Sequence, residues 1–416
     1  MKATPNLQIR KPSPLSTLAA CLSLLMGLTG PLLPLPAGGI DCNSFKLWTF
    51  NLRFDDGWAP CISDCENNWF KSDFTKGRRE VAKAYMQAYQ PDIFGLQEVR
   101  NPLPSLGLRS SQLQDVASWF PDHDSYALDR GDGEHCAIFY RSARFTRLNA
   151  GTFWLSCTPD QQSHHPLETG NYRITSWVRL KDNTMGTIFY VFNGHWPLNA
   201  EARNYSAAVV RERVHALAQG SPVLLLGDFN CTETEAPFEF LLGTRVNPPR
   251  GSCSLSPRVV SPQELPLVNS YRAVIPVSDG EEDTSHGFAG GSGGERIDHV
   301  LHSSGDFAPY TAAIRRETYA GGCGADTCYP SDHYAVELDF HSLLPETYVD
   351  FRLPDLICEL GTEPFPFNTV EEAAQAVKES GKVILRNTST SQAILLKPTR
   401  GPITLTSVGG PSILGK

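Results

Sequence analysis

From about residue 44 onward, short apolar runs alternate with amphipathic stretches. Phe45-Lys46-Leu47-Trp48-Thr49-Phe50 reads as a strand, and residues 91–96, 137–140, 174–180, 187–193, 223–226, 297–301 and 335–340 are further runs of strand length. Between them, Val81, Tyr85, Ala88 and Tyr89 fall on one helical face, and Val116, Trp119 and Phe120 on another. Tyr205, Val209, Val214 and Leu217 mark a longer helix. Many strands with few, widely spaced helices predict stacked sheets flanked by helices, not a regular βαβ repeat. Residues 245–276, rich in Pro and Ser, and 287–294, rich in Gly, are expected to be surface loops.

The two ends differ from this pattern. After residue 340, apolar triplets at 383–385, 394–396, 403–405 and 412–414 recur at intervals of nine to eleven residues, preceded by a helical stretch at 370–378. That rhythm predicts a small β-solenoid-like appendage over 343–416, beside a main domain over 44–342. At the other end, Lys2, Arg10 and Lys11 precede an apolar run at 15–28 and a Pro/Leu-rich stretch ending at Ala37-Gly38-Gly39. These are the parts of a secretory signal peptide, expected over 1–39. The run is too short, and too interrupted by Thr29, Gly30 and Pro31, to span a bilayer. The mature chain is therefore expected to be extracellular or periplasmic, without a transmembrane segment.

Composition narrows the function. The 416 residues suffice for two to three domains, and 41% hydrophobic content with 34 Gly and 31 Pro excludes disordered, collagenous and coiled-coil proteins. A net charge of −9, made more acidic by loss of the leader, argues against bulk electrostatic gripping of nucleic acid. No stable nucleic-acid complex is expected, and the protein is expected to be a monomer. Of the 11 cysteines, Cys21 leaves with the leader, and an even number remains. Disulfides follow, with Cys61–Cys65 and Cys323–Cys328 as the expected local bridges.

The chemistry sits where the apolar runs end. Asn51 closes the first run, Gln97-Glu98 the second, and Asn193-Gly194-His195 a third. Gly227-Asp228-Phe229-Asn230 follows 223–226, Arg296-Ile297-Asp298 opens a run, and Ser331-Asp332-His333 precedes the last. Singly, an Asp or Asn after a strand is most often a turn or cap residue; six such places in one chain argue for a shared cleft. Four carboxylates, two amides and two imidazoles without a thiolate favour a hard cation, Mg²⁺ or alternatively Mn²⁺. Such a set suits attack of water on a phosphate ester.

This ordered set resembles the endonuclease/exonuclease/phosphatase superfamily, the deoxyribonuclease-I-like metal-dependent hydrolases, over about 44–342. Gly227-Asp228-Phe229-Asn230 followed by a terminal Ser331-Asp332-His333 is its specific part, and 151–156 and 284–287 fit its bacterial branch. The resemblance implies a four-layered α/β sandwich and a Mg²⁺-dependent phosphatase or phosphodiesterase acting on a small-molecule, lipid-linked or nucleic-acid phosphoester. A secreted endonuclease and a non-catalytic binding module on the same scaffold are the alternatives. By matching position, Glu98 would be the principal metal ligand, with Asn51 and Asp332 near the metal. Asp228 would orient or deprotonate the water, and Asn230 and His195 would hydrogen-bond phosphate oxygens. His333, paired with Asp298, would serve as base or as a charged phosphate-binding group. Arg173 is a candidate phosphate ligand or an ion-pair residue. The family often reads Thr-His-x-Asp-His where this chain has Gly194-His195-Trp196-Pro197-Leu198, so Trp196 either stacks on a substrate ring or anchors the loop. The C-terminal segment resembles the opening turns of a pectin-lyase-type β-helix and carries no catalytic cluster.

Overall fold

The computed structural model describes residues 42–55, 69, 77–101, 111–245, 253, 257–319, 328–353, 358–386, 389–390, 402–408 and 413–414. In chain order the elements are β1 (Ser44–Asn51), α1 (Arg78–Tyr89), β2 (Ile93–Arg100), α2 (Gln112–Trp119), β3 (His123–Tyr126), β4 (Glu134–Arg141), β5 (Phe145–Trp154), β6 (Ile174–Asp182) and β7 (Ile188–His195). There follow α3 (Ala200–Ala218), β8 (Val223–Asp228), α4 (Ala236–Leu242), β9 (Leu267–Asn269), α5 (Ser270–Val274), β10 (Asp298–Ser303), β11 (Phe307–Arg315) and β12 (Ala335–Ser342). The C-terminal segment adds β13 (Leu344–Val349), α6 (Val370–Ala376), β14 (Val377–Arg386), β15 (Ser389–Thr390), β16 (Thr404–Val408) and β17 (Ile413–Leu414).

Two six-stranded mixed sheets, ordered β11-β12-β1-β2-β4-β3 and β5-β6-β7-β8-β10-β9, stack face to face. Phe45, Ile93, Phe189, Leu224, Val300 and Phe340 fill the space between them. Outside the first sheet, Tyr85, Met86, Val116 and Trp119 of α1 and α2 pack on Trp48, Phe94 and Phe139. Outside the second, α3 and α4 cover Phe192, Val223 and Leu225. Central strands are therefore buried on both faces and read as unbroken apolar runs, which is why β8 and β10 are buried along their whole length. The result is an α/β sandwich of helix, sheet, sheet and helix. The long helix α3 starts at Asn199, whose side chain accepts the N–H groups of Glu201 and Ala202.

The differences from expectation are systematic. The four unforeseen strands of the sandwich, β3, β5, β9 and β11, are its four sheet edges. An edge strand shares less of the core: β5 is mostly exposed or half-buried, and β11 shifts register at Pro309. The Pro/Ser-rich stretch expected to be loop contains β9 and α5, with Asn269 capping the helix through its side chain.

The C-terminal segment forms a small sheet of three parallel strands, β13-β14-β16, with β15 and β17 paired beyond it. Val349, Phe367, Val370, Val383 and Leu385 make its own core. Its helix ends at Ala376, and the next two residues already belong to β14. The apolar run at 394–396 lies outside the described residues, as do the leader and Cys61, Cys65 and Cys323. Two disulfides join described residues over long range: Cys42–Cys358 ties the start of the first sheet to the C-terminal segment, and Cys157–Cys253 closes a second loop. Cys328 is also disulfide-bonded. Cys136 and Cys231 are buried free thiols, so an even count does not pair every cysteine. Among the described residues no helix is long and apolar enough to cross a membrane.

Candidate active site

Strand register brings the polar ends together. In the second sheet His195 of β7 lies beside Asp228 of β8, and Asp228 lies opposite Asp298 of β10, so three singled-out residues form one row. Gly194 and Gly227 form the row beneath. A Cβ on Gly227, whose φ is 147°, would stand 2.1 Å from the Gly194 carbonyl oxygen, so only glycine permits this approach. In the first sheet Asn51 of β1 lies beside Gln97 of β2. The β2–β4 pairing then slips between Leu96 and Val99, and Glu98 takes a left-handed φ of 59°. This bulge aims Glu98 at the second sheet, as bulges beside active sites do. Arg53 and Asn230 also have positive φ, so backbone strain gathers at this place.

One amide links the two sheets. Asn51 Nδ2 donates to Glu98 Oε1 at 3.2 Å and to Asp228 Oδ2 at 3.0 Å. The other Glu98 oxygen accepts the Phe54 N–H at 3.2 Å. Burial alone would raise the Glu98 pKa, but Arg53, His333 and these hydrogen bonds outweigh it and hold the carboxyl below its ordinary value. Asp332 arrives from the loop before β12. Ser331 Oγ donates to the Asn51 carbonyl at 2.6 Å, which pins that loop to the end of β1. Arg53 lies between Glu98 and Asp332, at 3.6 and 3.7 Å, so the two carboxylates already converge on a cation. Asp228, Asp298 and His333 form a second group whose ligand atoms all lie within 4.8 Å, and Asp298 Oδ1 is buried without a hydrogen-bond partner among the described residues. A set of carboxylates and an amide fits a hard divalent cation.

His333 Nδ1 lies 2.8 Å from Asp298 Oδ2. Burial opposes a charge on this imidazole, but the Asp298 charge and hydrogen bond, with Asp228 and Asp332, push its pKa up to about 10. Burial, and then the Asp298 charge, push Asp228 up to about 7. Asp228 Oδ1 accepts the Asn230 N–H at 2.9 Å, and Asn230 Nδ2 donates to the Trp196 carbonyl. His195 is the opposite case. Burial, then Arg173, Arg130 and His333, hold its pKa well below the usual value, so it stays neutral.

The structure thus gathers Asn51, Glu98, His195, Asp228, Asn230, Asp298, Asp332 and His333. Arg173 joins them, only 6% exposed, with Nη1 2.6 Å from His195 Nε2; this is not a surface ion pair. The substrate-stacking role of Trp196 is corrected. Its ring is fully buried and stacks on Phe229 with centroids 4.5 Å apart, so it anchors the loop from inside the core. Gln97 and Asn193 also point away from the cleft and tie the sheets together through a 2.6 Å hydrogen bond.

Sequence reasoning missed four residues. Arg53 sits two places after Asn51, a proximity that was the available signal. Thr284 Oγ1 accepts the Asp298 N–H at 3.2 Å, and it lies in the 284–287 run without a role having been assigned. The buried Arg78 guanidinium donates to the carbonyls of Leu52, Arg53 and Pro330, fixing both loops that carry acidic groups. An Arg at a helix start gives no signal of that role. Glu168, in the connection between β5 and β6, pairs with Arg173 at 2.8 Å.

Among solved structures, a Bacteroides thetaiotaomicron endonuclease/exonuclease/phosphatase family protein is 28% identical, with a TM-score of 0.56, covering 72% of this chain and 98% of that one. A mannosyl-6-phosphatase from Bacteroides thetaiotaomicron is 27% identical, with a TM-score of 0.55, covering 71% of this chain and 99% of that one. Among curated proteins, nocturnin of Rattus norvegicus is 22% identical over 267 residues, 61% of this chain and 55% of the relative, so the chain spans about half the length of that relative. The Endonuclease/Exonuclease/phosphatase family pattern matches residues 48–333, from the first strand through His333. With well over half of its length matched, and with the polar ends of two stacked sheets meeting in one cleft, the chain belongs to this family of phosphoester hydrolases, whose enzymes generally use a divalent metal ion.

Proposed function

We propose that the protein is a secreted, Mg²⁺-dependent phosphatase or phosphodiesterase that directs a water in line at a phosphoryl group. The observation carrying this reading is the Asn51 amide, which bonds both Glu98 and Asp228 and so places an ionised carboxylate beside one able to accept a proton near neutral pH. Glu98, with Asn51 and Asp332, would hold the cation, which when bound neutralises charge developing on the phosphoryl oxygens. Asp228 takes the proton as the water oxygen bonds to phosphorus and the bond to the leaving oxygen breaks. His333 is protonated far above neutral pH, so it is a poor base and serves as a fixed positive charge. Asn230 supplies an amide donor at the same edge. The C-terminal segment stays outside this machinery as an appendage held by Cys42–Cys358. That bridge and Cys157–Cys253 support an oxidising compartment.

The similarity to a mannosyl-6-phosphatase makes a sugar phosphomonoester the first probe. The test sets mannose 6-phosphate, an aryl monoester, a bis-aryl diester, plasmid DNA and RNA side by side, each with Mg²⁺ and with EDTA. Turnover of a small mono- or diester that EDTA abolishes is expected. Equal rates with and without chelator would overturn the metal role, and cleavage of nucleic acid alone would replace this reading with the nuclease. If no substrate turns over above the background of Glu98→Ala, the scaffold is a binding module.

A further inference from the structure

Away from the acidic cleft a second cluster of reactive side chains comes together. Cys157, His165 and Cys253 place two sulfurs and an imidazole nitrogen within 4.8 Å of one another. Cys157 follows β5, His165 lies in the connection between β5 and β6, and Cys253 comes from the stretch between α4 and β9. The two sulfurs are bonded across 96 residues of sequence, and His165 Nε2 lies 3.7 Å from Cys253 Sγ. Both cysteines are half-buried, so a small thiol can approach, whereas His165 is buried.

The proton on this imidazole can be assigned. Burial against Tyr205 of α3 holds the His165 pKa below its ordinary value, against the pull of Glu168 and Glu201, so the ring is neutral. In a neutral imidazole one nitrogen donates and the other accepts. The Leu167 N–H donates to Nδ1 at 3.2 Å, which leaves the proton on Nε2, facing the sulfur of Cys253. A Cys–Cys–His metal site does not fit, because it would need the Nε2 lone pair. A donor on one sulfur of a disulfide instead favours that sulfur as the leaving thiolate, and exchange runs faster the more stable the departing thiolate.

We propose that Cys157–Cys253 is an exchangeable bridge, in which an external thiolate attacks Cys157 and Cys253 departs as a thiolate held by His165. The new bond joins the incoming sulfur to Cys157 Sγ. The Cys157–Cys253 bond breaks, and its electron pair goes to Cys253 Sγ. Negative charge passes from the incoming thiolate to Cys253, while the Nε2 proton stays on His165 as a hydrogen bond. With a dithiol, its second thiolate then attacks the mixed disulfide, so that Cys157 is released reduced and the dithiol is oxidised to a disulfide. The effect reaches the cleft through one turn. The His165 carbonyl accepts the Glu168 N–H at 2.9 Å, and Glu168 holds both Arg173 and the N–H of Asn199, the cap of α3. Opening the bridge removes an anchor of this connection and slows hydrolysis. That last consequence rests on the phosphoester-hydrolase reading; the exchange does not.

The experiment exposes the oxidised full chain to glutathione, quenches by alkylation and maps the cysteines by peptide mass spectrometry. Glutathione on Cys157 with an alkylated Cys253 is expected. His165→Asn keeps an acceptor for the Leu167 N–H but loses the Nε2 donor, and should slow adduct formation by about threefold or more; His165→Gln, which keeps a donor near that place, should recover part of the rate. Hydrogen exchange over 158–170 and kcat/KM on whichever phosphoester turns over are read in the glutathione adduct and in the Cys157→Ser/Cys253→Ser variant. Faster exchange at the Glu168 amide and a several-fold lower kcat/KM are expected. An adduct on Cys253, no adduct on either cysteine, or an unchanged rate in His165→Asn would each refute the directed exchange; the mapped position in the wild type decides this even where a variant does not fold. Unchanged protection of the Glu168 amide, or an undiminished kcat/KM, in the opened chain would refute the link to the cleft. Exchange at Cys157 with loss of that protection, in a chain that turns over no phosphoester, would keep the bridge and sink the hydrolase reading.

Discussion

The two-sheet body and the C-terminal segment are both built from short strands, yet they solve burial differently. In the body each sheet is covered on both faces, and three apolar clusters occupy the spaces between layers. In the C-terminal segment parallel strands stack around one small cluster. Its outermost strand β16 is largely exposed, with Leu405 at 40% and Val408 at 57%. The body can therefore tolerate buried charges and positive φ values at its cleft, because the surrounding layers hold them in place. The segment has no such reserve. It is attached by Cys42–Cys358, by a Lys378–Asp306 ion pair at 2.7 Å and by the chain itself. Three of the positive-φ non-glycine residues, Arg53, Glu98 and Asn230, gather with the chemistry where packing is deepest, whereas the thin sheet carries one, Ser380 in β14, and, among the described residues, no cluster of acidic and histidine side chains.

Perturbing the cleft should separate the regions most sharply. Glu98→Ala should lower kcat/KM about a thousandfold with little change in melting temperature, because it removes a proposed cation ligand and no core contact. A melting temperature that falls along with the rate would mean that Glu98 is structural. Next comes the pH profile. Asp228 must be unprotonated to act as base, so kcat/KM should rise about tenfold per pH unit up to its pKa of about 7, then fall once His333 loses its proton near 10. A flat profile between pH 5 and 9 would refute the assignment of the base.

Acid should then destabilise the body. His299 is buried, and burial, then Arg296, hold its pKa down to about 3. The unfolded chain takes up that proton below about pH 6.5, whereas the folded chain does not, so stability falls as pH drops through the window from 6.5 to 3. By pH 4 the loss is on the order of 3 kcal/mol, measurable as a lower urea midpoint. His299→Gln should flatten that dependence. Replacing Cys42 and Cys358 by Ser should cost roughly 2–4 kcal/mol, confined to the C-terminal segment and read by hydrogen exchange in β13 and β14, with activity retained. A chain ending at Pro345 with Cys42→Ser should likewise keep its turnover; loss of activity in this folded truncation would make the segment part of the site. The smallest effect belongs to Leu405→Lys on the exposed strand, within about 0.5 kcal/mol of the wild type. That variant should reduce any self-association seen by light scattering, since a charge on an open edge discourages strand addition.

Much of the fold was legible because burial on both faces forces continuous apolar runs. Every central strand of the sandwich left such a run, and the four edges did not. The polar groups of the site were legible for a related reason: where a strand leaves the core, an Asn, Asp, Glu or His breaks the apolar pattern. Which of those groups reach the cleft was not legible. Gln97 and Glu98 are neighbours in the chain, yet one ties the sheets together internally while the other faces the cleft, because a bulge in β2 reverses the alternation at that point. No local signal marks the bulge, which is fixed by pairing with β4.

By itself, the sequence determined the central strands in chain order, a class of stacked sheets flanked by helices and most of the polar groups of the cleft, since each of these follows from local alternation of apolar and polar side chains; the four-layered arrangement came with the family resemblance. Tertiary structure decided the partners. Asp298 beside His333, Arg173 clamped by Glu168 against His195, Trp196 turned inward onto Phe229, and Cys42 bonded to Cys358 all join residues far apart in the chain. Such contacts depend on sheet register and layer stacking, and a single chain read in one dimension contains neither distance nor direction between its segments.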